Sequence, residues 1–299
     1  MSARRYIVVG LGELLWDLLP SGPELGGAPA NFAAMAAALG DCGVVASRVG
    51  ADAWGQEALA RLGRMGLSVD YVQTDETHAT GTVLVQVSES GQPRYTIHED
   101  VAWDHLGWTP QWQALAATAD AVCFGSLAQR APGSRTTIQR FLHATRAGAF
   151  RIFDANLRQS FYTPEVIDES LQIARALKIN DEELPRIIEA LDLPDDGDEE
   201  SRARRLIKRY GLELVCVTRG AHGSLLLTEG QAIEHPGYKV AVADTVGAGD
   251  AFTAALVHHY LRRASPEKIS DAANRLGAWV ASQRGATPPL DPSLRQQIV

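Results

Sequence analysis

The sequence predicts an α/β fold, with a mostly parallel central sheet flanked by helices and a small antiparallel β-lid beside it. Short, nearly continuous apolar runs alternate with helical segments along most of the chain, which is the pattern of βαβ crossovers in a sheet covered on both faces. Residues 80–98 (TGTVLVQVSESGQPRYTIH) instead alternate apolar and polar residues around a Ser-Glu-Ser-Gly-Gln turn. That alternation predicts an antiparallel hairpin with one exposed face.

The predicted strands of the central sheet are rich in valine, isoleucine and leucine, which favour buried strands. They cover residues 6–10, 43–50, 121–126, 151–156, 176–180, 214–220 and 224–228. The predicted helices cover residues 30–39, 55–65, 134–147, 164–174, 182–191, 199–210, 250–263 and 266–283. Residues 14–20 (LLWDLLP) predict a further lid strand. We expect one domain over residues 1–299, with a lid of about residues 13–25 and 80–100 inserted on the α/β body.

Composition and charge narrow the class of protein. The net charge of −8 over 299 residues argues against nucleic acid or an anionic membrane surface as the main partner. The cysteines form no CxxC pair, which predicts reduced thiols and a cytoplasmic location. No apolar run approaches the ~18 residues of a membrane span, and the N-terminal run is too short for a signal peptide. The histidines show no ligand spacing along the chain, so we expect hydrogen-bonded or exposed side chains there.

The segment DTVGAGDAF, residues 244–252, places a carboxylate where a glycine turn enters a helix. Small residues at 247–249 let backbone N–H groups converge, and the positive end of the helix adds to the attraction for an anion. A carboxylate aimed at such an anion hole suits a base that takes a proton from an attacking hydroxyl. The alternative is a helix-capping aspartate after a glycine turn, and the segment alone leaves both open.

This segment resembles the C-terminal signature of the ribokinase-like (PfkB-type) carbohydrate kinases, and further segments match that family in order from about residue 6 to about residue 290. The motifs are most similar to those of fructokinases. The resemblance implies an ATP-dependent sugar kinase that uses Mg²⁺ and forms a homodimer through the lid. It implies Asp250 as the base, and an anion hole formed by Gly247, Ala248, Gly249 and Asp250.

The N-terminal segment GELLWDLLPSGPELGGAPANFA, residues 12–33, contains groups suited to a polyol. A carboxylate accepts two hydroxyls, Gly26-Gly27 permits close approach of the backbone, and an asparagine both donates and accepts. A glycine turn followed by a capping asparagine is the plainer interpretation. The resemblance implies that Asp17, Gly27 and Asn31, together with Asp250, hold sugar hydroxyls. Ala28 stands where ribokinases usually carry lysine, which favours the fructokinase branch.

Two segments after predicted strands carry candidates for phosphate and magnesium. In FDANLR, residues 153–158, the guanidinium of Arg158 fits phosphate oxygens, although a surface salt bridge is the alternative. In KINDEEL, residues 178–184, the resemblance implies that Asn180 and Glu183 organise Mg²⁺ and phosphate, with Glu183 acting through water. Without the resemblance this is a helix-capping pattern, and nothing selects among Asp181, Glu182 and Glu183.

The remaining candidates follow from the resemblance alone. It implies Thr218, Gly220 and Gly223 of VTRGAHGS beside the ATP phosphates, and Asn274 near the adenine. It also implies that residues 283–290 (QRGATPPL) form, with Asp244 and Val246, a loop pair that holds a monovalent cation such as K⁺. Pro289 departs from the serine that ribokinases often have there.

These motifs together predict an ATP:sugar phosphotransferase that converts fructose to fructose 6-phosphate. The alternatives are a kinase for ribose, 2-keto-3-deoxygluconate or adenosine, and a non-catalytic sugar- or nucleotide-binding regulator. The retained Asp250, Asn180 and Glu183 count against the regulator, which would be free to lose them. An NAD-binding dehydrogenase is excluded because GLGELL lacks the third glycine of the dinucleotide fingerprint, where Leu15 stands.

Overall fold

The computed structural model describes residues 4–87, 93–195 and 197–298. Its strands are β1 Ile7–Leu11, β2 Leu15–Leu19, β3 Gly22–Gly26, β4 Cys42–Gly50, β5 Val72–Asp75, β6 Gly81–Val87, β7 Pro93–Ile97, β8 Ala121–Phe124, β9 Phe150–Asp154, β10 Ala176–Asn180, β11 Leu214–Thr218, β12 Ser224–Leu227 and β13 Ala232–His235. Its α-helices are α1 Ala28–Leu39, α2 Ala53–Arg64, α3 Pro110–Thr118, α4 Pro132–Ala144, α5 Pro164–Ile173, α6 Glu183–Ala190, α7 Glu199–Tyr210, α8 Ala248–Leu261, α9 Pro266–Ala281 and α10 Pro292–Ile298.

The large sheet has the strand order β13-β12-β11-β10-β9-β8-β1-β4-β5. The seven strands β11, β10, β9, β8, β1, β4 and β5, in this order across the sheet, all run parallel to their neighbours. At the other edge, β12 and β13 are added antiparallel. Because helices link the parallel strands, they cover both faces of the sheet. The predicted α/β class and mostly parallel sheet are therefore confirmed.

The two faces of the large sheet bury separate hydrophobic clusters, as strand alternation requires. Val9 of β1 belongs to the cluster shared with α3, α4, α5, α6 and α7. Val8, its neighbour along the chain, belongs to the cluster shared with α1, α8, α9 and α10. Both valines are fully buried, and burying such a side chain stabilises a fold by about 1.5–3 kcal/mol.

A small sheet with the strand order β3-β2-β6-β7 lies beside this body. Its two hairpins, β2–β3 and β6–β7, are antiparallel, and β2 pairs with β6 in parallel. One sheet thus contains the strand predicted over residues 14–20 and both arms of the predicted hairpin. The turn of that hairpin, residues 88–92, lies outside the described residues. Trp103 is buried against this sheet, because a Cβ on Gly81 of β6 would come within 2.1 Å of its Nε1.

None of the helices in the described ranges is both long and apolar enough to cross a bilayer. Two of the cysteines, Cys123 and Cys216, are buried as free thiols, and Cys42 is exposed. The two buried thiols lie in strands β8 and β11, where the apolar runs predicted them.

Candidate active site

The motifs singled out in the sequence converge at one edge of the large sheet. Parallel strands end on the same side, so the residues that close β9, β10 and β11 become neighbours. Asp154 pairs in register with Lys178, and Asn180 pairs with Thr218. This carboxyl edge also receives the N-terminal end of α8, which carries the second aspartate of DTVGAGDAF.

The glycine turn before α8 has the geometry of an anion site. Gly247 adopts φ +77°, and a Cβ there would come within 2.4 Å of the Ala286 carbonyl oxygen, so only glycine fits. The backbone amides of Gly249 and Asp250 have no acceptor among the described residues. Free amides at the positive end of a helix attract an anionic group such as phosphate.

Asp250 lies in the first turn of α8 and meets the N-terminal motif directly. Its Oδ2 accepts a hydrogen bond of 2.8 Å from Nδ2 of Asn31 in α1. Burial raises the pKa of Asp250 to about 6, and the charge of Asp154 adds to the increase, whereas Asn31, Lys178 and Arg158 oppose it. A carboxylate with such a pKa is ionised at neutral pH and still accepts a proton readily, as a general base must.

Lys178 is a member of the site that the sequence interpretation missed. Its Nζ donates to Oδ1 of Asp154 at 3.1 Å, and a Cβ on Gly249 would lie 3.1 Å from the same nitrogen. Burial alone would lower the pKa of Lys178, but Asp154, Glu183 and Asp250 outweigh it and raise the pKa. The ammonium therefore keeps its charge beside the glycine turn. A lysine within the apolar run ALKIN was the available signal.

Glu183 and Asn180 hold each other at the start of α6. Oε2 of Glu183 accepts from the Asn180 amide at 2.9 Å, and Oδ1 of Asn180 accepts from the Glu183 amide at 2.7 Å. Oε1 of Glu183 accepts from the Leu157 amide at 2.8 Å, in the loop after β9. Glu183 is buried, whereas Asp181 and Glu182 are exposed. The structure thus distinguishes among three acids that the sequence alone left equivalent.

The sugar-recognition candidates surround the turn between β3 and α1. Gly27 has φ +105°, and a Cβ there would come within 2.5 Å of the Glu13 carbonyl oxygen. Asp17 lies in β2. A Cβ on Gly26 would come within 2.4 Å of Oδ2 of Asp17, so the two residues are in close contact. Burial raises the pKa of Asp17 to about 6, Arg158 lowers it and Asp244 raises it. Asp17 thus shares one electrostatic environment with residues more than 100 positions away in the sequence.

Glu13 is the second member that the sequence interpretation missed. Its side chain is 4% exposed, and its Oε2 has no hydrogen-bond partner among the described residues. Burial raises the pKa of Glu13 to about 7; its own amide opposes this, and the charge of Asp250 adds to it. A buried carboxyl with an unsatisfied oxygen costs stability, and such groups are concentrated at functional sites. The signal was the acidic residue in the otherwise apolar run between β1 and β2.

Arg158 lies exposed in the loop after β9. It makes no ion pair with any residue in the described ranges, so the surface salt bridge considered from the sequence finds no partner there. Its charge lowers the pKa values of Glu13, Asp17 and Asp250. An uncommitted guanidinium near three carboxyl groups is available to an anionic substrate.

The nucleotide-side candidates fall into two groups. Thr218 closes β11, and Gly220 and Gly223, both at positive φ, shape the loop that follows. Asn274 is buried in α9, where its Nδ2 donates to Oγ of Ser224 and to the Ser270 carbonyl, each at 2.8 Å. Both amide hydrogens of Asn274 are therefore used within the protein, which leaves only its carbonyl oxygen for another partner.

The predicted cation loops also come together. Oδ1 of Asp244 accepts from the Val246 amide at 3.0 Å, and Oδ2 accepts from the Gly285 amide at 3.3 Å. The Asp244 amide itself donates to the Ala281 carbonyl at 3.2 Å. These bonds hold the segment before the glycine turn against the segment after α9.

The chain is similar to known carbohydrate kinases along almost its whole length. The family model described as pfkB family carbohydrate kinase matches residues 23–293. A fructokinase of Escherichia coli is 31% identical, over 97% of this chain and 97% of its own length. A structure of a sugar kinase of Pyrococcus horikoshii in complex with ATP has a TM-score of 0.81 at 26% identity, over 98% of this chain and all of the other.

A third comparison concerns the fold alone, because its identity is low. A double mutant of the fructokinase of Vibrio cholerae, in its fructose-, ADP- and potassium-bound form, has a TM-score of 0.81 at 23% identity. The match covers 98% of this chain and 98% of that protein. The same arrangement of a large and a small sheet therefore extends over both chains.

Proposed function

The chain belongs to the pfkB family of carbohydrate kinases and is an ATP-dependent sugar phosphotransferase, and from this premise we propose that it phosphorylates fructose at the C6 hydroxyl. The observation that carries the proposal is the hydrogen bond between Asn31 and Asp250. This bond joins the segment suited to a polyol, residues 12–33, to the Asp250 carboxylate beside the anion site. The likeness to fructokinases along the whole chain supports fructose among small sugars.

In this reaction Asp250 orients the C6 hydroxyl and accepts its proton. The hydroxyl oxygen forms a bond to the γ-phosphorus while the bond from that phosphorus to the β,γ-bridging oxygen breaks, and ADP leaves. Asp17, Gly27 and Asn31 hold the other hydroxyls of the sugar. The raised pKa of Asp250 supports this role, since a base works best when its pKa lies close to the operating pH.

Phosphoryl transfer depends mainly on positioning and on stabilising the charge of the transferred group. The free amides of Gly249 and Asp250, at the end of the turn formed with Gly247 and Ala248, are suited to the γ-phosphate oxygens. Lys178 supplies a fixed positive charge beneath this turn. Arg158 lies close enough to lower the pKa of Asp250 and adds a second positive charge to the region.

The oxygen donors at the carboxyl edge fit the cations that the family uses. Both carboxylate oxygens of Glu183 already accept a backbone amide, which suits an outer role toward Mg²⁺ through water. Bound with ATP, Mg²⁺ would neutralise phosphate charge. We assign Asp244 and Val246, with the loop around Gly285, to a monovalent cation, because the relative from Vibrio cholerae binds potassium. Omitting each ion from the assay tests these assignments.

On the nucleotide side, we assign Thr218, Gly220 and Gly223 to the ATP phosphates, with Asn180 beside them. Asn274 would approach the adenine through its free carbonyl oxygen only. We further propose a homodimer through the small sheet, which would act as the lid, and a reducing compartment such as the cytoplasm. Tyr95 of β7 is 51% exposed and supports an interface there. Light scattering of the purified protein measures the molar mass directly.

A sugar panel with purified protein tests the substrate. We expect ADP release from Mg-ATP with fructose, and a product identified by NMR as fructose 6-phosphate. The panel includes ribose, 2-keto-3-deoxygluconate and adenosine. Turnover on one of these but not on fructose would overturn the sugar and retain the kinase. Sugar binding by calorimetry without any turnover would instead favour the regulator.

A further inference from the structure

Two histidines and an aspartate meet at the base of the small sheet, away from the catalytic carboxylates. His78 precedes β6, whereas Asp100 and His105 follow β7. One donor atom from each of the three side chains lies within 4.8 Å of the other two. The cluster therefore joins the segment that enters the β6–β7 hairpin to the segment that leaves it.

The two imidazole rings point their Nε2 atoms at one carboxylate. His105 Nε2 lies 2.9 Å from Oδ1 of Asp100, and His78 Nε2 lies 3.8 Å from the same oxygen. The rings are stacked, with centroids 3.5 Å apart. Asp100 is 80% exposed, so the cluster is open to ions from solvent.

Asp75 determines which nitrogen of His78 faces the cluster. Its Oδ2 lies 3.1 Å from Nδ1 of His78, and its buried carboxylate also pairs with Arg48 at 2.9 Å. A carboxylate at Nδ1 retains the proton on that nitrogen and leaves the Nε2 lone pair free. This is the carboxylate–histidine arrangement that supports metal ligands.

The backbone around the cluster is anchored to the body of the protein. The His105 carbonyl accepts a hydrogen bond of 2.6 Å from Arg48, and the Ala102 amide donates to the Ala79 carbonyl at 2.8 Å. Asp104, next to His105, forms a buried ion pair of 2.7 Å with Arg130. The donors thus project from fixed positions, and only the side chains need to move on binding.

We propose that His78, Asp100 and His105 form a binding site for a divalent transition metal of the Zn²⁺ class. Two imidazoles and one carboxylate suit zinc, whereas Mg²⁺ and Ca²⁺ prefer oxygen donors. Ligand distances of about 2.0–2.2 Å put tetrahedral donors roughly 3.4 Å apart, so the His78–Asp100 pair at 3.8 Å closes and the His105–Asp100 pair at 2.9 Å opens, each by about half an ångström. The fourth position stays open to water. A bound ion cross-links the two ends of the β6–β7 hairpin.

Zinc binding to chelator-treated, full-length protein without nucleotide tests the site. We expect one equivalent of Zn²⁺ to bind and to raise the Tm, since ligands that bind the folded state stabilise it. His78→Ala and His105→Ala should each weaken binding by about 10-fold or more. The matched control is His98→Ala, because His98 is exposed at the end of the same hairpin and contacts Thr82 instead.

Cobalt spectra, competition with Mg²⁺ and further variants decide whether these three side chains bind the metal. Co²⁺ should give visible absorption bands that disappear in His105→Ala, and millimolar Mg²⁺ should not displace zinc. Should His78→Ala fail to fold, Asp100→Asn, on an exposed side chain, provides the second variant. Zinc binding that is unchanged in His105→Ala, or lost equally in His98→Ala, would overturn the proposal. So would the absence of zinc binding in the unmodified protein.

Discussion

A buried carboxylate lies at each end of helix α8, and the two differ in what surrounds them. Asp250 belongs to the helix itself, whereas Asp41 lies just before β4 and contacts the end of the helix. At its start, Asp250 receives one hydrogen bond from a neutral amide, and burial raises its pKa to about 6. Toward its end, fully buried Asp41 accepts from His258 Nδ1 at 2.7 Å and pairs with Arg262 at 2.8 Å. Burial alone would raise the pKa of Asp41, but these two partners outweigh it and lower the pKa.

The comparison separates a carboxylate whose charge is paired within the protein from one whose charge is not. His258 and the guanidinium of Arg262 satisfy Asp41, so its charge contributes to the packing of α8 against the start of β4. Asp250 lies close to Asp154 and Glu13 and lacks a direct cationic partner among the described residues, which costs stability but leaves a proton acceptor available. Buried groups with raised pKa values that are grouped at a sheet edge indicate function.

The largest expected effect is on catalysis. Asp250→Asn removes the proton acceptor and keeps the size of the side chain, so kcat for sugar phosphorylation should fall by about 10²–10⁴-fold. Steady-state ADP release measures the loss, and an unchanged circular dichroism spectrum and Tm serve as the control. Near-normal turnover in this variant would show that Asp250 is not the base.

The opposite end of α8 should respond in stability instead. Asp41→Asn leaves buried His258 and partly exposed Arg262 without their carboxylate, which should lower the free energy of unfolding by about 3 kcal/mol. Urea denaturation measures the change, and exposed Asp70→Asn is the matched control. At a temperature where the variant is folded, kcat should stay as in the unmodified protein. A drop in kcat with unchanged stability would reverse the assignment of the two ends.

Much of the framework could be predicted because its elements are long and strongly patterned. The run ALKIN became β10 over the predicted residues, and the helix predicted over 164–174 is α5, Pro164–Ile173. Period-2 and period-3.6 patterns are local, so they are readable in one sequence. The grouping of Asn31 with Asp250 came from resemblance to a family, since no local pattern relates residues that far apart.

Several of the elements that were not predicted are short or polar, although the unpredicted helix α3 has nine residues and buries Trp112 and Leu115. The edge strand β13, Ala232–His235, has only partly buried or exposed residues, and β5, Val72–Asp75, has four residues with three polar side chains. Pairing with a neighbouring strand, rather than the β-propensity of the residues, decides whether such segments form strands. Likewise, His78 and His105 show no ligand spacing along the chain, because the β6–β7 hairpin lies between them. Only the tertiary structure brings them together.

The smallest effect concerns Glu13 and refines the comparison. Its pKa is about 7 in the folded protein against an ordinary 4.5, so the folded state binds this proton more tightly than the unfolded state. Stability therefore falls as pH rises from about 4.5 to about 7. Glu13→Gln removes this penalty and should raise the free energy of unfolding at pH ~8 by about 1–3 kcal/mol, with little gain at pH ~4.

The same variant also tests the electrostatic link to the base. The charge of Asp250 raises the pKa of Glu13, and with a pKa of about 7 Glu13 is still mostly protonated near pH 6, so Glu13→Gln should leave the acidic limb of kcat/KM, near pH 6, in place. Glu57→Gln, on the exposed surface of α2, is the control for both measurements. A stability gain with an unmoved acidic limb is the expected result, because Glu13 is then neutral over the pH range in which Asp250 titrates. A limb that moves to lower pH would instead mean that Glu13 already carries charge near pH 6 and raises the basicity of Asp250.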